Sequence, residues 1–263
     1  MWEREVFDML ASQRYNQIQA LLRKHGAVTI AELMETFGIS METARRDLAA
    51  MEKAGLLSRV HGGALPITTA RFYRPLEERM QDRMEQKCAI ARTAAVYVKD
   101  GDFIFISSGS TAIAFAQELR KHIHKLTVVT YSLDVFETLC DMPDYHIILT
   151  GGEFYPKERA FRGPAAAALL SNIYVQKSFI FPSVLSLEQG ITCHTPELLA
   201  RLSPMLRQCD QVYILADSSK FQRIAPHQIT PMRQDYIYIT DNEQPDSLRQ
   251  LYTQNKLKFI YAE

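Results

Sequence analysis

The chain has 263 residues, 47% of them hydrophobic and 23% charged, and its 30 Lys and Arg residues balance its 30 Asp and Glu residues to a formal net charge of zero. This apolar content excludes an intrinsically disordered chain, and no window holds the roughly 18 uninterrupted apolar residues of a membrane-spanning helix. Zero net charge is untypical of proteins that coat nucleic acid through their overall field, so contact with any anionic partner is expected to be local.

The N-terminal residues 1–5 are acidic and lack the basic start and apolar run of a signal peptide, so a cytoplasmic location is expected. The cysteines form no C-x-x-C pair and have no histidine at zinc-finger distance, which predicts reduced thiols. We therefore expect no metal, no cofactor and no membrane partner. The cysteines are Cys88, Cys140, Cys193 and Cys209.

Three short helices are predicted first, over residues 12–24, 29–37 and 40–55. Thr29 is a candidate cap of the second helix, and Gly38 and Gly55 are candidate ends of the second and third. A flap follows, in which residues 56–60 and Ala64-Leu65 flank the turn His61-Gly62-Gly63. Three helices and a two-stranded flap are typical of a winged helix-turn-helix domain, which we place over residues 12–68.

The third helix presents a polar face suited to the DNA major groove. With Ala44 and Leu48 facing the core, the two adjacent arginines point outward, where an arginine fork can pair with guanine. Short hydroxyl side chains at the helix start can hold a phosphate, and the flap can reach a neighbouring phosphate or the minor groove. An ordinary solvated helix face carries similar charges, so the pattern alone leaves both readings open. The candidate DNA-binding residues are Ser40, Met41, Thr43, Arg45, Arg46, Arg59 and His61.

The N-terminal motif resembles the signature of the DeoR family of bacterial transcriptional regulators. Its parts are Arg14-x3-Ile18-x3-Leu22, then seventeen residues, then Ser40-x-x-Thr43-Ala44-Arg45-Arg46-Asp47-Leu48. Residues 59–64, Arg-Val-His-Gly-Gly-Ala, are similar to that family's wing. The resemblance implies that Arg45 and Arg46 belong to a DNA-reading helix, and that Asp47 orients an arginine or the wing.

The predicted DNA-binding module is only weakly basic. Residues 12–66 contain seven Lys and Arg residues against five Asp and Glu residues, a net charge of +2. Because phosphate contacts supply much of the affinity for DNA, one such module is expected to bind weakly alone. We therefore predict self-association, as a dimer or tetramer, with two or more modules on paired half-sites of double-stranded operator DNA.

After a predicted linker over residues 69–85, short β-rich runs alternate with helical segments. The runs are 103–107, 126–131, 146–151, 177–181, 211–217, 236–240 and 258–261, and the helical segments include 112–121, 133–140, 164–171 and 196–209. This alternation predicts an α/β domain with a mostly parallel sheet over residues 86–263.

Small polar residues follow three successive predicted strands. They are Ser108-Gly109-Ser110-Thr111, Thr130-Tyr131-Ser132 and Thr150-Gly151-Gly152-Glu153. Singly, such residues are usually turns and caps, but if the three strands are neighbours their ends converge on one crevice. Backbone amides and hydroxyls there would suit a small anionic ligand.

The DeoR family also has an effector domain, similar in fold to ribose-phosphate isomerases, that senses phosphorylated sugars. Segments here resemble it, including Phe161-Arg162-Gly163-Pro164 and residues 215–221, Leu-Ala-Asp-Ser-Ser-Lys-Phe. The resemblance implies that Lys220 is a counter-charge for a phosphate and that Asp217 shapes the strand end; Asp217 can equally cap the Ser218-Ser219 turn. The candidate effector-binding residues are Ser108, Gly109, Ser110, Thr111, Ser132, Gly151, Gly152, Glu153, Arg162, Asp217 and Lys220.

Three functional hypotheses follow. The first is a DNA-binding regulator, expected to be a repressor of carbohydrate-metabolism genes, that responds to a phosphorylated sugar. Ser107, Tyr131 and Pro182 depart from the family pattern, which motivates a second hypothesis, a regulator whose sensor serves only oligomerisation. The third is an isomerase-type enzyme with Glu153 as general base, although Glu153 has no evident partner in the sequence that would tune it. No catalytic residue is otherwise expected.

Overall fold

The computed structural model describes residues 11–53, 56–60, 62–66 and 76–263. Gly55, His61 and residues 67–75, which include part of the predicted linker, lie outside this range. The chain divides into two compact units, Met1–Tyr73 and Arg74–Glu263. Within the described ranges, every helix is too short or too polar to cross a lipid bilayer.

The first unit is a winged helix-turn-helix, as the sequence predicts. Its elements are α1 (Ala11–His25), β1 (Val28–Thr29), α2 (Ile30–Phe37), α3 (Met41–Lys53), β2 (Leu57–Val60) and β3 (Gly63–Pro66). The strands form an antiparallel sheet in the order β1-β3-β2. Ile18, Leu33, Leu48 and Met51, one or two from each helix, are at most 1% exposed and form the core.

Local polar contacts fix where α2 begins and ends. The Thr29 side chain accepts a hydrogen bond from the backbone N–H of Glu32 at 3.1 Å, and the Glu32 carboxylate accepts one from the backbone N–H of Thr29 at 3.4 Å. This reciprocal capping box satisfies two amide groups that the first turn of a helix leaves without partners. Gly38 ends α2 in the left-handed conformation, at φ 62°.

The second unit is an α/β domain. Its helices are α4 (Leu76–Gln81), α5 (Met84–Ala95), α6 (Ser110–His122), α7 (Leu133–Leu139), α8 (Pro164–Leu170), α9 (Pro196–Met205) and α10 (Asp246–Gln254). Its strands are β4 (Phe103–Ile106), β5 (Leu126–Thr130), β6 (Tyr145–Leu149), β7 (Glu153–Tyr155), β8 (Ala160–Arg162), β9 (Val175–Ile180), β10 (Val184–Ser186), β11 (Gly190–Cys193), β12 (Cys209–Leu215), β13 (His227–Thr230), β14 (Ile237–Asp241) and β15 (Lys258–Ala262).

Seven strands form one parallel sheet in the order β15-β14-β12-β9-β4-β5-β6. These are the seven strands that the sequence predicts, so the expected α/β class is confirmed. Side chains of β4 alternate between the two faces: Ile104 and Ile106 belong to one buried cluster, and Phe105 to the other. The sheet is therefore covered on both faces, which explains its continuous apolar runs.

Two smaller antiparallel sheets accompany the seven-stranded sheet. Strands β10, β11 and β13 form an antiparallel sheet, and β7 and β8 form a hairpin whose Phe161 N–H donates to the carbonyl of Tyr131 at 2.8 Å. Helices α4 and α5 occupy residues 76–95, so the second half of the segment predicted as a linker over 69–85 is already helical.

The sheet reverses its direction of growth between β4 and β9. The chain adds β5 and β6 on one side of β4, then returns to place β9 on the other side. Ser107 joins the two halves there, because its N–H donates to the Phe179 carbonyl at 3.1 Å and its Oγ accepts from the Phe181 N–H at 3.2 Å. Ligands of open parallel sheets bind in the crevice outside the carboxyl ends of strands at such a switch point.

Candidate DNA interface and effector site

The solvent face of α3 carries the two arginines that the sequence singles out. Arg45 and Arg46 are exposed, whereas Ala44 and Leu48 on the opposite face are buried. Met41, at the start of the helix, is also exposed. In the described part of the chain, no ion pair involves either arginine. Both guanidinium groups are therefore available to an external partner.

Ser40 caps α3 through the residue three positions further on. Its Oγ accepts a hydrogen bond from the Thr43 N–H at 3.2 Å, and the Ser40 and Thr43 hydroxyl oxygens lie 3.0 Å apart. Capping holds both hydroxyls at the first turn, where the amide dipoles favour a phosphate. A role of these two residues in DNA binding remains a prediction.

Asp47 points into the protein and not towards solvent. It is 3% exposed and accepts a hydrogen bond at 2.8 Å from Nε of Arg14, which is also buried. The expectation that Asp47 orients an arginine is therefore confirmed, and the arginine belongs to α1. This ion pair fixes the angle between α1 and the helix that carries Arg45 and Arg46.

The wing contacts both α3 and β1. The backbone N–H of Arg59 donates to the Glu52 carboxylate at 2.8 Å, and the Arg59 side chain is exposed. On the other strand, β3 approaches β1 so closely that a Cβ atom on Gly63 would lie 2.1 Å from the carbonyl oxygen of Val28. Only glycine fits at that position, so the wing strands have one register.

In the second unit, the loop between β4 and α6 forms a small cradle, defined here as residues 107–111. Gly109 precedes α6 with φ 125°, a conformation that favours glycine, and Ser110 and Thr111 occupy the first turn. The first amide groups of a helix have no partner within the helix and carry its positive dipole end. The cradle therefore offers donors suited to an anion.

The three loops predicted to converge do follow neighbouring parallel strands, since β4, β5 and β6 are adjacent. After β5, Ser132 caps α7 by accepting a hydrogen bond from the Val135 N–H at 3.3 Å. After β6, a Cβ atom on Gly152 would lie 2.6 Å from the Arg162 carbonyl oxygen, so the β7–β8 hairpin packs tightly on this loop. At the edge of the crevice, Ser132 thus caps a helix and Gly152 allows close packing of the hairpin.

Tyr131 is buried beneath the cradle. Its ring packs against Phe105, with centroids 5.8 Å apart, and the guanidinium of Arg201 lies 4.4 Å from the Tyr131 centroid. Burial raises the pKa of the Tyr131 hydroxyl, while the Arg201 charge and hydrogen bonds with Ser108 and Ser107 act in the opposite direction. Tyr131 therefore fills space under the cradle and bonds its serines.

Glu153 and Arg162 face one another across the β7–β8 hairpin. Arg162 Nη2 lies 2.6 Å from Glu153 Oε1, and this hydrogen bond raises the pKa of the Arg162 guanidinium. The Arg162 guanidinium also lies 4.5 Å from the centroid of the Tyr155 ring. The Glu153 side chain is 63% exposed. A solvated carboxylate bound by a guanidinium lacks the environment that tunes a general base.

Asp217 and Lys220 lie at the carboxyl end of β12, on a one-turn 3₁₀ helix (Ser218–Lys220). The Asp217 carboxylate accepts a hydrogen bond from the Ser219 N–H at 3.0 Å, so it caps this turn, one of the two roles that the sequence leaves open. Lys220 Nζ lies 3.8 Å from the Asp217 carboxylate. Burial is the main cause of the lowered pKa of Lys220, and Asp217 opposes it.

Arg79 and Lys87, which the sequence does not single out, also reach this region. A Cβ atom on Gly109 would lie 3.9 Å from Arg79 Nη1, and Arg79 Nη2 lies 2.6 Å from both carboxylate oxygens of Glu158. The Lys87 ammonium donates to the backbone carbonyls of Arg79 and Asp82. We name Arg79, Lys87 and Lys220 the cationic cluster.

The members of the cationic cluster interact through their charges. Burial lowers the pKa of Lys87 to about 8, Asp217 and Asp82 raise it, and the charges of Lys220 and Arg79 lower it further. The charge of Arg79 also lowers the pKa of Lys220. A bound anion would reduce the electrostatic repulsion among like charges that are held together at the edge of a crevice.

Sequence comparisons agree with both units. Residues 14–70 match the DeoR-like helix-turn-helix domain, and residues 82–242 match the DeoR C-terminal sensor domain. The HTH-type transcriptional regulator GolR of Listeria innocua is 32% identical over 238 residues, covering 89% of this chain and 92% of that protein. The lactose phosphotransferase system repressor of Lactococcus lactis is 34% identical over 241 residues, covering 89% and 92%.

Among solved structures, ribose 5-phosphate isomerase A from Methanocaldococcus jannaschii superposes with a TM-score of 0.39 and 16% identity, over 53% of this chain and 55% of that one. A likeness this distant indicates no activity. The winged helix-turn-helix and the sensor unit define a two-unit transcriptional regulator. With both domain matches and relatives above 30% identity along most of its length, the chain belongs to the DeoR family of transcriptional regulators.

Proposed function

We propose that this protein represses carbohydrate-metabolism genes by binding operator DNA through α3 and the wing, and that a phosphorylated sugar bound beside the cradle changes this binding. The observation that most strongly supports this proposal is the cationic cluster at the switch point of the sheet, next to the positive end of α6. The named function of the Lactococcus relative, repression of a lactose phosphotransferase system, supports a sugar-related role.

On the DNA side, Arg46 and Arg45 supply the forks that read base edges, and Thr43 and Ser40 hold the adjacent phosphate. Arg59 supports binding from the wing, and Met41 contributes apolar contact at the start of α3. The ion pair between Asp47 and Arg14 holds this surface in place without touching DNA.

On the effector side, the phosphate lies on the cradle, with Lys220 as its counter-charge, and the sugar extends towards the ends of β5 and β6. A sugar in that position would lie beside Gly151, Gly152 and Ser132. Ligand binding alters operator affinity only if the DNA-competent and DNA-incompetent states differ in affinity for the ligand.

The test uses the full chain and the DNA upstream of its own gene. Operator affinity is measured with a panel of sugar phosphates and with the same sugars lacking phosphate. We expect one or more phosphorylated sugars to change the affinity at least tenfold and the unphosphorylated partners to leave it unaltered. Equal effects of both classes, or of neither, would contradict an effector site for phosphate.

A second candidate function has support from Tyr131, which occupies space beneath the cradle and bonds Ser107 and Ser108. The sensor unit would then serve oligomerisation alone. In that case no sugar phosphate raises the melting temperature, whereas a site filled at 100 times its Kd stabilises the protein by about 2.7 kcal/mol. An enzymatic role is not proposed, since the named relatives are regulators and Glu153 is solvated.

A further inference from the structure

Arg79 occupies an unusual position between the cradle and a carboxylate. One guanidinium nitrogen, Nη1, points at Gly109, while the other, Nη2, bonds both oxygens of Glu158 at 2.6 Å. Glu158 lies on the 3₁₀ turn Pro156–Glu158, which connects β7 to β8. The two side chains are 18% and 17% exposed, so the pair is shielded from solvent but remains accessible at the crevice.

The surroundings make this pair sensitive to an added anion. The charge of Arg79 lowers the pKa of Lys220 and contributes to lowering that of His194 to about 4, after burial as the main cause. Arg79 is therefore close to both Lys220 and His194. A phosphate dianion on the cradle would lie near Nη1 and compete with the Glu158 carboxylate for the guanidinium, because arginine binds phosphates and carboxylates through two N–H groups.

We infer that Arg79 exchanges partners when the effector binds, leaving Glu158 and taking the phosphate. This inference rests on the proposed effector function of the cradle and assigns to it a residue outside the predicted set. In the absence of effector, the Glu158 carboxylate binds the Arg79 guanidinium and therefore competes with the phosphate for it.

The exchange has a consequence for the chain on the N-terminal side. Arg79 lies on α4, the first described element of the second unit, and α4 packs against α6. The Lys87 ammonium holds the carbonyls of Arg79 and Asp82, so the end of α4 is fixed to α5. A change of partner at Arg79 therefore acts on the helix through which the chain enters the sensor unit.

The test compares three variants of the full chain: Arg79→Gln, Glu158→Gln and, as a matched control, Arg120→Gln. Arg120 also forms an ion pair with a carboxylate, that of Asp141, at the opposite end of α6 from the cradle, although this pair is more exposed. Binding of inorganic phosphate is measured by calorimetry against chloride at equal ionic strength. We expect about tenfold weaker binding for Arg79→Gln, several-fold tighter binding for Glu158→Gln, and wild-type binding for Arg120→Gln.

The phosphate affinities of the variants distinguish failure of the partner exchange from failure of the effector site itself. Wild-type affinity of Arg79→Gln, or weaker binding by Glu158→Gln, would overturn the exchange while leaving the effector site intact. Absence of phosphate binding by the wild type would overturn the site and the exchange together. If Arg79→Gln does not fold, as judged by its melting curve, Glu158→Gln decides, because a merely structural ion pair predicts no gain in phosphate affinity on removal of its carboxylate.

Discussion

Arg46 lies next in the chain to the buried Asp47, yet its own side chain is exposed on α3. Replacement of Arg46 by Ala should lower operator affinity by about 1–3 kcal/mol if the guanidinium reads a guanine, without altering stability. The measurement is a titration of operator and of random DNA at one salt concentration. Equal weakening on both DNAs would instead assign Arg46 to a phosphate, and Arg233→Ala, in the second unit, is the control.

We expect Lys87 to make the proposed binding of a phosphorylated sugar dependent on pH. Its lowered pKa of about 8 means that the ammonium charge is present below that pH and lost above it, whereas the second ionisation of a sugar phosphate has its midpoint about two pH units lower, near 6. Attraction for the phosphate is therefore present at pH 7 and falls as the pH rises through about 8. Loss of charge from Lys220, whose pKa is also lowered, acts in the same direction.

The corresponding measurement is the Kd of an effective sugar phosphate between pH 6.5 and pH 9.5. Lys87→Arg keeps its charge throughout this range, so its affinity should decline less than that of the wild type, and the decline that remains is due to Lys220. Parallel curves for the two proteins would show that the charge of Lys87 does not act on the ligand.

Among the elements, α1 and α3 depend on one buried ion pair. Asp47→Ala leaves the Arg14 guanidinium buried without its carboxylate, which typically costs about 3–5 kcal/mol of unfolding free energy. The measurement is urea unfolding of the full chain, monitored through a spectroscopic signal that arises in the first unit. The double variant Arg14→Met/Asp47→Leu should recover much of the loss, because no buried charge then remains; equal losses in both proteins would contradict this.

The elements show where sequence reasoning is reliable. All seven strands of the parallel sheet are predicted within two residues at each end, because short segments rich in β-branched, aromatic and other apolar residues mark strands that are buried on both faces. The strands that are missed are β1, β7, β8, β10, β11 and β13. At two to four residues each, they are too short to show an alternating pattern.

The candidate effector site is predictable only in part, for a related reason. Asp217, Lys220 and the cradle follow strands, and the carboxyl ends of parallel strands meet at one edge. Arg79 comes from the segment of dense mixed charge that is predicted as a linker over residues 69–85, and Lys87 lies just beyond its end. Only the packing of α4 on α6 brings Arg79 to Gly109, and no local periodicity encodes that contact.

For the whole molecule, the weak charge of the DNA-binding unit sets an expectation about assembly. A module with a net charge of +2 gains little from phosphates alone, so we expect two copies to act together. Removing one half-site from the operator should weaken binding about 100-fold or more. Inserting about five base pairs between the half-sites should do the same, because it turns one half-site to the opposite face of the DNA.

The control for this experiment is an operator of unchanged spacing whose central base pairs are scrambled. It should bind with nearly wild-type affinity. A single half-site that binds as tightly as the complete operator would show that one module suffices, and the neutral charge of the chain would then need another explanation.

The reversal of the sheet between β4 and β9 also bears on synthesis of the chain. Strands β4, β5 and β6 leave the ribosome in order and pair with one another, but the other edge of β4 has no partner until residues 175–180 have been made. That edge belongs to Phe-Ile-Phe-Ile, residues 103–106, a sequence that readily pairs with strands of other chains. The strand beside the candidate effector site is thus also where we expect a nascent chain to be most exposed to aggregation.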